Sequence, residues 1–386
     1  MHIILAPDSY KDALSAREAA DAMTAGIRRV SPSARCETCP MGDGGEGTLD
    51  ALIVATGAER RFQRVRNALG RPCQAEWGWN AATRTAYIEL AQACGIQQLT
   101  HHERTALHSS TYGVGELIIA ALDAGAERLI LMLGGSATND AGAGMLQALG
   151  TQLLNAHGEP LPPGGASLID LKQIVMDHLN PRLATVIVEA AVDVDNPLLG
   201  ERGASAVFGP QKGASEADVA RLDYALRHFA DKVTDTQDID CRGQPGAGAA
   251  GGMGFAASAF LGATMKPGIE LAISQVHFRE RLINADLVIT GEGRLDGQSM
   301  SGKTPIGIAR CARDSGVPVV VLTGSLGEGW QLAYQEGVTS VFALADGPLG
   351  LDEALVRCAE LLSDRTESVV RLFQANVINK NHSGAR

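Results

Sequence analysis

Aromatic side chains are scarce in this chain, at 4% of 386 residues, and no apolar run approaches the length of a membrane span. Basic clusters are absent too, and the formal charge is −11. Nucleic-acid binding is driven by neutralising phosphates, so these two features argue against it. The opening residues HIILAP show no basic segment, long apolar core or cleavage site, which points to a cytoplasmic protein with no membrane partner. The seven cysteines are odd in number and widely spread, so they do not read as a disulfide framework. Cys36 and Cys39 form one C-x-x-C pair, but no second pair follows at zinc-ligand spacing, and none of the nine histidines shows such spacing. Glycine is plentiful, with 45 residues among alanine and aliphatics. That is the composition of an α/β enzyme with many glycine turns, and the length predicts two domains, each with its own core.

The order of patterns supports this. Ile3 to Ala6 is an apolar strand, and Ser15 followed by Glu18 is a capping box ahead of a helix whose stripe is Ala19, Met23, Ile27 and Val30. A strand through ARCETCPM and a helix from Gly47 complete crossover units of a parallel sheet. Three extended runs, RFQRVR, CQAEWGW and TAYIEL, separated by turns, then read as an antiparallel meander. Mixed strands and helices follow, and from Ala285 the parallel pattern returns with DLVIT, PVVVLTG and SVFAL. The expectation is a Rossmann-like parallel three-layer domain from both chain ends, 1–65 plus 285–372. A mixed α/β domain, 66–284, is inserted between them, and 373–386 is a frayed tail.

Five glycine-punctuated segments follow apolar runs, which is where α/β proteins bind ligands. The first, APDSYK, brings Asp8, Ser9 and Lys11 to a strand exit; it is an anion or substrate site or, more blandly, a capped turn. In MGDGGEGT, Asp43 and Glu46 stand among glycines and either hold Mg²⁺ or complement a helix dipole. The loop GGSATND, from Gly134 to Asp140, offers backbone N–H groups and hydroxyls to a phosphate or carboxylate. Asp193 and Asp195 are spaced to face one way if their strand continues, as base and metal ligand, or else begin a turn at Asn196-Pro197. The last, Ala285 to Pro305, is the most informative, with Glu292, Arg294, Asp296 and Lys303 among glycines. Carboxylates beside a lysine there point to a metal and a phosphate.

Two short matches mislead. Gly297 to Thr304 fits the phosphate-loop pattern by letter, but GEGRLD separates it from the strand, so Lys303 remains a phosphate-binding candidate without a P-loop fold. Gly246 to Gly251, GAGAAG, fits a dinucleotide fingerprint, yet a polar run and not a strand precedes it.

Taken together, APDSYK, DGGEGT, GGSATNDAGAG, DVDNPLLG, FGPQKGA, PGAGAAGGMG and GEGRLDGQSMSGKTP occur in the order of the bacterial glycerate kinase family, and the chain resembles its glycerate 2-kinase type. The resemblance covers nearly the whole chain except the tail. It implies ATP-dependent phosphorylation of D-glycerate with Mg²⁺, at the 2-hydroxyl to give 2-phosphoglycerate or alternatively at the 3-hydroxyl, in a cleft of a two-domain α/β fold. An NAD-dependent hydroxy-acid dehydrogenase and a non-catalytic metabolite sensor are the rival classes, and a homodimer is left open. On this reading Asp193 is the catalytic base, with Lys11 and Asp8 as further catalytic candidates. Ser9, Ser136, Thr138 and Asn139 bind substrate, with Ser9 and Lys11 on glycerate's carboxylate. Gly44, Gly45, Gly134, Gly135, Lys212, Arg294 and Lys303 handle phosphate or nucleotide, and Asp43, Glu46 and Glu292 hold the metal. Tyr10, where phenylalanine is common, together with Gln244 and His108, departs from the family pattern.

Overall fold

The structure, a computed structural model, describes residues 1–45 and 47–383. Backbone contacts divide it into two compact units, Met1–Asp43 with Asp50–Thr56 and Ile269–Arg386, and Gly44–Leu49 with Gly57–Gly268. In chain order the strands are β1 (His2–Leu5), β2 (Arg35–Thr38), β3 (Glu59–Arg66), β4 (Pro72–Asn80), β5 (Thr85–Glu89), β6 (Arg128–Met132) and β7 (Gln152–Leu154). They continue as β8 (Gln173–Val175), β9 (Ile187–Ala191), β10 (Thr264–Lys266), β11 (Leu287–Leu295), β12 (Val319–Leu326) and β13 (Ser340–Ala343).

The first unit holds the sheet β13-β12-β11-β1-β2, every pairing parallel. Ile3 and Leu5, Leu287 and Ile289, and Val320 and Leu322 share a core with Ala19, Met23 and Ile27 of the helix Ala16–Val30 and with Leu361, Leu362 and Val370 of the helix Cys358–Ser383. The intervening Ile4, Val288, Val319 and Val321 are equally buried. Both faces are therefore covered, the condition for a purely parallel sheet and the Rossmann-like arrangement the sequence predicts. The capping box forms: Glu18 N donates to Ser15 Oγ at 3.2 Å and Ser15 N to Glu18 Oε2 at 2.9 Å. The final helix runs on through the segment after Phe373 that composition marks for fraying. Its first half is fixed by the packing of Leu361, Leu362 and Val370 and by the pairing of Arg29 with Asp364 and Glu367, and a helix once nucleated propagates at low cost.

The second unit holds the mixed sheet β10-β9-β6-β5-β4-β3. β3, β4 and β5 are the expected antiparallel meander, while β5-β6-β9-β10 pair in parallel. β3 pairs with β4 along its whole length, so residues 57–65 pack with this unit, earlier in the chain than the boundary read from sequence. Phe229, from the helix Glu216–Gln237, meets Phe255 edge-on at 6.0 Å and stacks with Phe260 at 6.3 Å in the core.

Glycine runs explain the remaining differences from the sequence reading. GAGAAG does not open a helix after a strand; Ala250, Gly251 and Gly252 all have positive φ and kink the segment Ala249–Leu261. A Cβ on Gly251 would lie 2.0 Å from Thr138 O, so this run packs tightly behind the GGSATND loop, and the dinucleotide reading falls away. Between β12 and β13 the chain makes only a 3-10 turn, Trp330–Glu336, bounded by Gly329 (φ 80) and Gly337 (φ 103). β11 runs on to Leu295 instead of breaking after Thr290, because Glu292, Arg294 and Leu295 keep their pairing with β12.

Candidate active site

In the first unit the chemistry gathers at the carboxyl ends of β1, β2 and β11. The pairing of β1 continues past its end, since Ala6 N donates to Ile289 O and Asp8 N to Gly291 O, each at 2.9 Å. The segment after β2 follows alongside, with Met41 N on Pro7 O at 2.9 Å, so Asp43 arrives near Asp8 and Glu292. Gly291 is required at the crossing: a Cβ there would lie 2.0 Å from Leu322 O and 2.2 Å from Tyr10 Oη. Tyr10 donates its hydroxyl to Leu322 O at 2.7 Å, so the departure from phenylalanine is satisfied inside the core.

Asp8 takes Ser9 N on Oδ1 at 2.6 Å and Thr304 Oγ1 on Oδ2 at 2.5 Å. Burial first, and Asp43 second, push its carboxyl up to about 7 against the pull of these donors. Glu292 is buried, accepts Ser299 Oγ at 2.6 Å, and is also pushed up to about 7. Burial is again the main cause, with Asp8 and Asp43 adding to it, while Ser299 and Lys303 oppose it. Lys303 is the N-cap of the helix Thr304–Asp314, whose first turn carries Pro305. At that helix start Lys303 N bonds Ser299 O at 3.1 Å, Ile306 N and Gly307 N each bond Lys303 O at 3.0 Å, and Pro305 has no N–H, so an anion there would be drawn by the positive end of the helix and the Lys303 ammonium. Among the described residues no three His, Cys, Asp or Glu side chains form a metal cage. Lys11 is exposed. Arg294 is largely exposed and bonds Asp296 Oδ2 through Nε at 3.0 Å, an ion pair at the rim of the cluster.

In the second unit Gly44, Gly45, Gly134, Gly135 and Asp193 come together beyond the ends of β6 and β9. Gly134 N donates to Gly44 O at 3.3 Å, and a Cβ on Gly134 would lie 2.8 Å from Gly45 Cα, so only glycine permits this approach. Gly44 (φ +93) lies beside Asp193, whose Oδ1 accepts Gly268 N at 2.8 Å. Asp193 is exposed. The strand ends at Ala191, so Asp195 does not line up with Asp193; it forms a two-oxygen pair with Arg202, both contacts at 2.9 Å.

Residues in the GGSATND loop point inward more than the sequence reading expects. Thr138 and Asn139 have no exposed surface, and Asn139 Nδ2 donates to Ser205 Oγ at 2.9 Å. Thr138 Oγ1 and Asn139 Oδ1 are buried with no hydrogen-bond partner. Lys212, expected on phosphate, is buried as well; its Nζ donates to Ser136 Oγ and Thr138 O, each at 2.7 Å. Desolvation pulls its ammonium down to about 7, opposed by Asp140 and Cys94. The bonds from Lys212 Nζ to Ser136 Oγ and Thr138 O and from Asn139 Nδ2 to Ser205 Oγ hold the loop's shape, while each buried oxygen without a partner costs about 1–3 kcal/mol.

Two acids escaped the sequence reading. Asp140 is fully buried and accepts Thr111 N at 2.8 Å, Thr111 Oγ1 at 2.9 Å, Gly144 N at 3.1 Å and Gly142 N at 3.2 Å. Glu89 ends β5 and accepts Leu49 N at 3.1 Å, tying the start of the helix Thr48–Thr56 to the sheet. It also lines a cavity of about 230 Å³ with Gln92, Gln97, Gln98 and Gly135. A lone acid in the otherwise apolar run TAYIEL was the available signal. Glu46 lies outside the described residues.

The sequence model of the glycerate kinase family matches residues 3–374. A protein named glycerate kinase from Halalkalibacterium halodurans is 45% identical over 95% of this chain and 97% of its own length. One named glycerate 2-kinase from Escherichia coli K12 is 46% identical over 92% of this chain and 93% of its own. A crystal structure from Salmonella typhimurium LT2, carrying the provisional name glycerate kinase 2, superposes with a TM-score of 0.89 at 42% identity, covering 97% of this chain and 99% of that one. With matches of this extent, the chain belongs to the glycerate kinase family.

Proposed function

We infer that this chain transfers the γ-phosphoryl group of ATP to D-glycerate, giving 2-phospho-D-glycerate and ADP. The observation that carries the reading is the near-full-length match to relatives named glycerate kinase and glycerate 2-kinase. Phosphoryl transfer asks a protein mostly for positioning and charge neutralisation. Lys303 and the positive end of the helix it caps supply positive charge for a phosphate.

The donor set fits Mg²⁺, a hard cation that takes one or two carboxylates together with phosphate oxygens and needs no all-protein cage. Asp43 and Glu292 would hold it, and its charge would offset both their repulsion and that of the transferred group. In the second unit Asp193 is the base for the acceptor hydroxyl, held by Gly268 N yet exposed. A second reading gives that role to Asp8, whose value of about 7 suits a general base near neutral pH. Lys11, exposed beyond β1, is the group for glycerate's carboxylate, together with Ser9. The chain acts on these small molecules in the cytoplasm; among the described residues no helix is long and apolar enough to cross a membrane.

Incubation with ATP, Mg²⁺ and D-glycerate, followed by phosphorus NMR, tests the reaction. The expected product is the 2-phosphate, usable by enolase without phosphoglycerate mutase. ATP consumption that ignores glycerate, or a product that needs the mutase, would overturn the activity or its position respectively.

A further inference from the structure

We propose that Lys212 is a positioning residue that fixes the hydroxyl of Ser136 as a hydrogen-bond donor toward an anionic oxygen of the substrates, an inference that rests on the kinase reading above. Lys212 ends the 3-10 turn Pro210–Lys212 and runs wholly inside the second unit. Its Nζ lies 2.7 Å from Ser136 Oγ and 2.7 Å from Thr138 O. An ammonium has three N–H groups and no lone pair, so both contacts are donations from the lysine. Ser136 Oγ is thereby committed as an acceptor, and its own hydrogen must point elsewhere. Among the described residues no protein acceptor takes that hydrogen.

The charges that face Lys212 are Asp140, from the same loop, and Cys94, at the end of the helix Ala91–Cys94. Asp140 is itself saturated by four donors from Thr111, Gly142 and Gly144, so it supplies field and not an acceptor for Ser136. Burying a lysine this completely is costly, and desolvation leaves its ammonium at about 7. Deprotonation would give Nζ a lone pair, and the Ser136 hydroxyl could then turn inward and donate to it. The outward donor exists while the lysine is charged and is lost as pH rises. Glycerate's carboxylate and the phosphates of ATP both offer the required anionic oxygen.

The test is the steady-state KM of each substrate between pH 6 and 9, for the wild type and for Ser136→Ala. Loss of one hydrogen bond to a charged group should raise the KM of the substrate it serves by about tenfold or more, with kcat changed less. A rise confined to D-glycerate identifies the carboxylate, and one confined to ATP identifies a phosphate. The wild-type increase of that KM with pH should disappear in Ser136→Ala. Lys212→Met should raise the same KM, with no further rise in the double variant, because the two side chains act as a unit. If Lys212→Met fails to fold, Ser136→Ala alone carries the test. Both KM values within twofold of wild type, or a pH dependence that survives in Ser136→Ala, overturns the proposal while leaving the kinase reading intact. A wild type that does not turn over ATP with D-glycerate overturns that reading and this inference together.

Discussion

The carboxylate of Asp193 is exposed and anchored by Gly268 N, whereas that of Asp8 is clasped by Ser9 N and Thr304 Oγ1 and lifted by burial. A base must accept a proton from the hydroxyl it serves, so the solvent-exposed carboxylate is the better placed and the buried one better suits holding its neighbours. Asp193→Asn keeps shape and removes the charge; kcat should fall by about 10²-fold or more with the KM for glycerate little changed. Asp8→Asn should cost less in kcat. Near-normal kcat in Asp193→Asn with loss of turnover in Asp8→Asn would move the base to the end of β1. At this scale the sequence revealed which residue types cluster but not which way they point. Ser136, Thr138 and Asn139 read alike as loop polars, yet Thr138 and Asn139 are sealed inside with Lys212. That inward turn is set by Gly251 and Ser205, more than 60 residues further along, and no local pattern carries it.

Elements were easier to read, because period and capping are local. The capping box at Ser15, the meander from β3 to β5 and the parallel strands β11 to β13 all follow from apolar runs bounded by turn residues. β11 extends beyond its apolar run, since G-E-G-R lacks an apolar strand's signature and its extension depends on the β12 partner. Gly291 is where that extension crosses Tyr10, and its Cβ position falls 2.0 Å from Leu322 O, a backbone atom that no rotamer change can move. Gly291→Ala should therefore force β11 and β12 apart. The expected loss is at the severe end for single substitutions, about 4 kcal/mol or more, read by chemical denaturation. A variant within 1 kcal/mol of wild type would show that the strand pair yields without penalty.

The stability of the whole molecule should report its buried carboxylates. Asp8 rises from 3.8 and Glu292 from 4.5, each to about 7, with burial as the first cause in both. Between those ordinary values and 7 the folded chain keeps protons that the unfolded chain has released. The sign follows: stability falls as pH rises through that window, and these two groups add no further slope well above it. A dication binding the carboxylates favours the charged form and must displace the same protons, so it binds poorly at pH 5 and well at pH 8. In EDTA the thermal midpoint should drop between pH 5 and pH 8, and drop less in Asp8→Asn. Saturating Mg²⁺ should restore about 3 °C or more at pH 8 and almost nothing at pH 5. Asp43→Asn combined with Glu292→Gln should abolish the gain, because it removes the two carboxylates proposed to hold the ion. An equal Mg²⁺ effect at both pH values, or a gain that persists in the double variant, would place the metal elsewhere and leave these acids as anion-side scaffolding only.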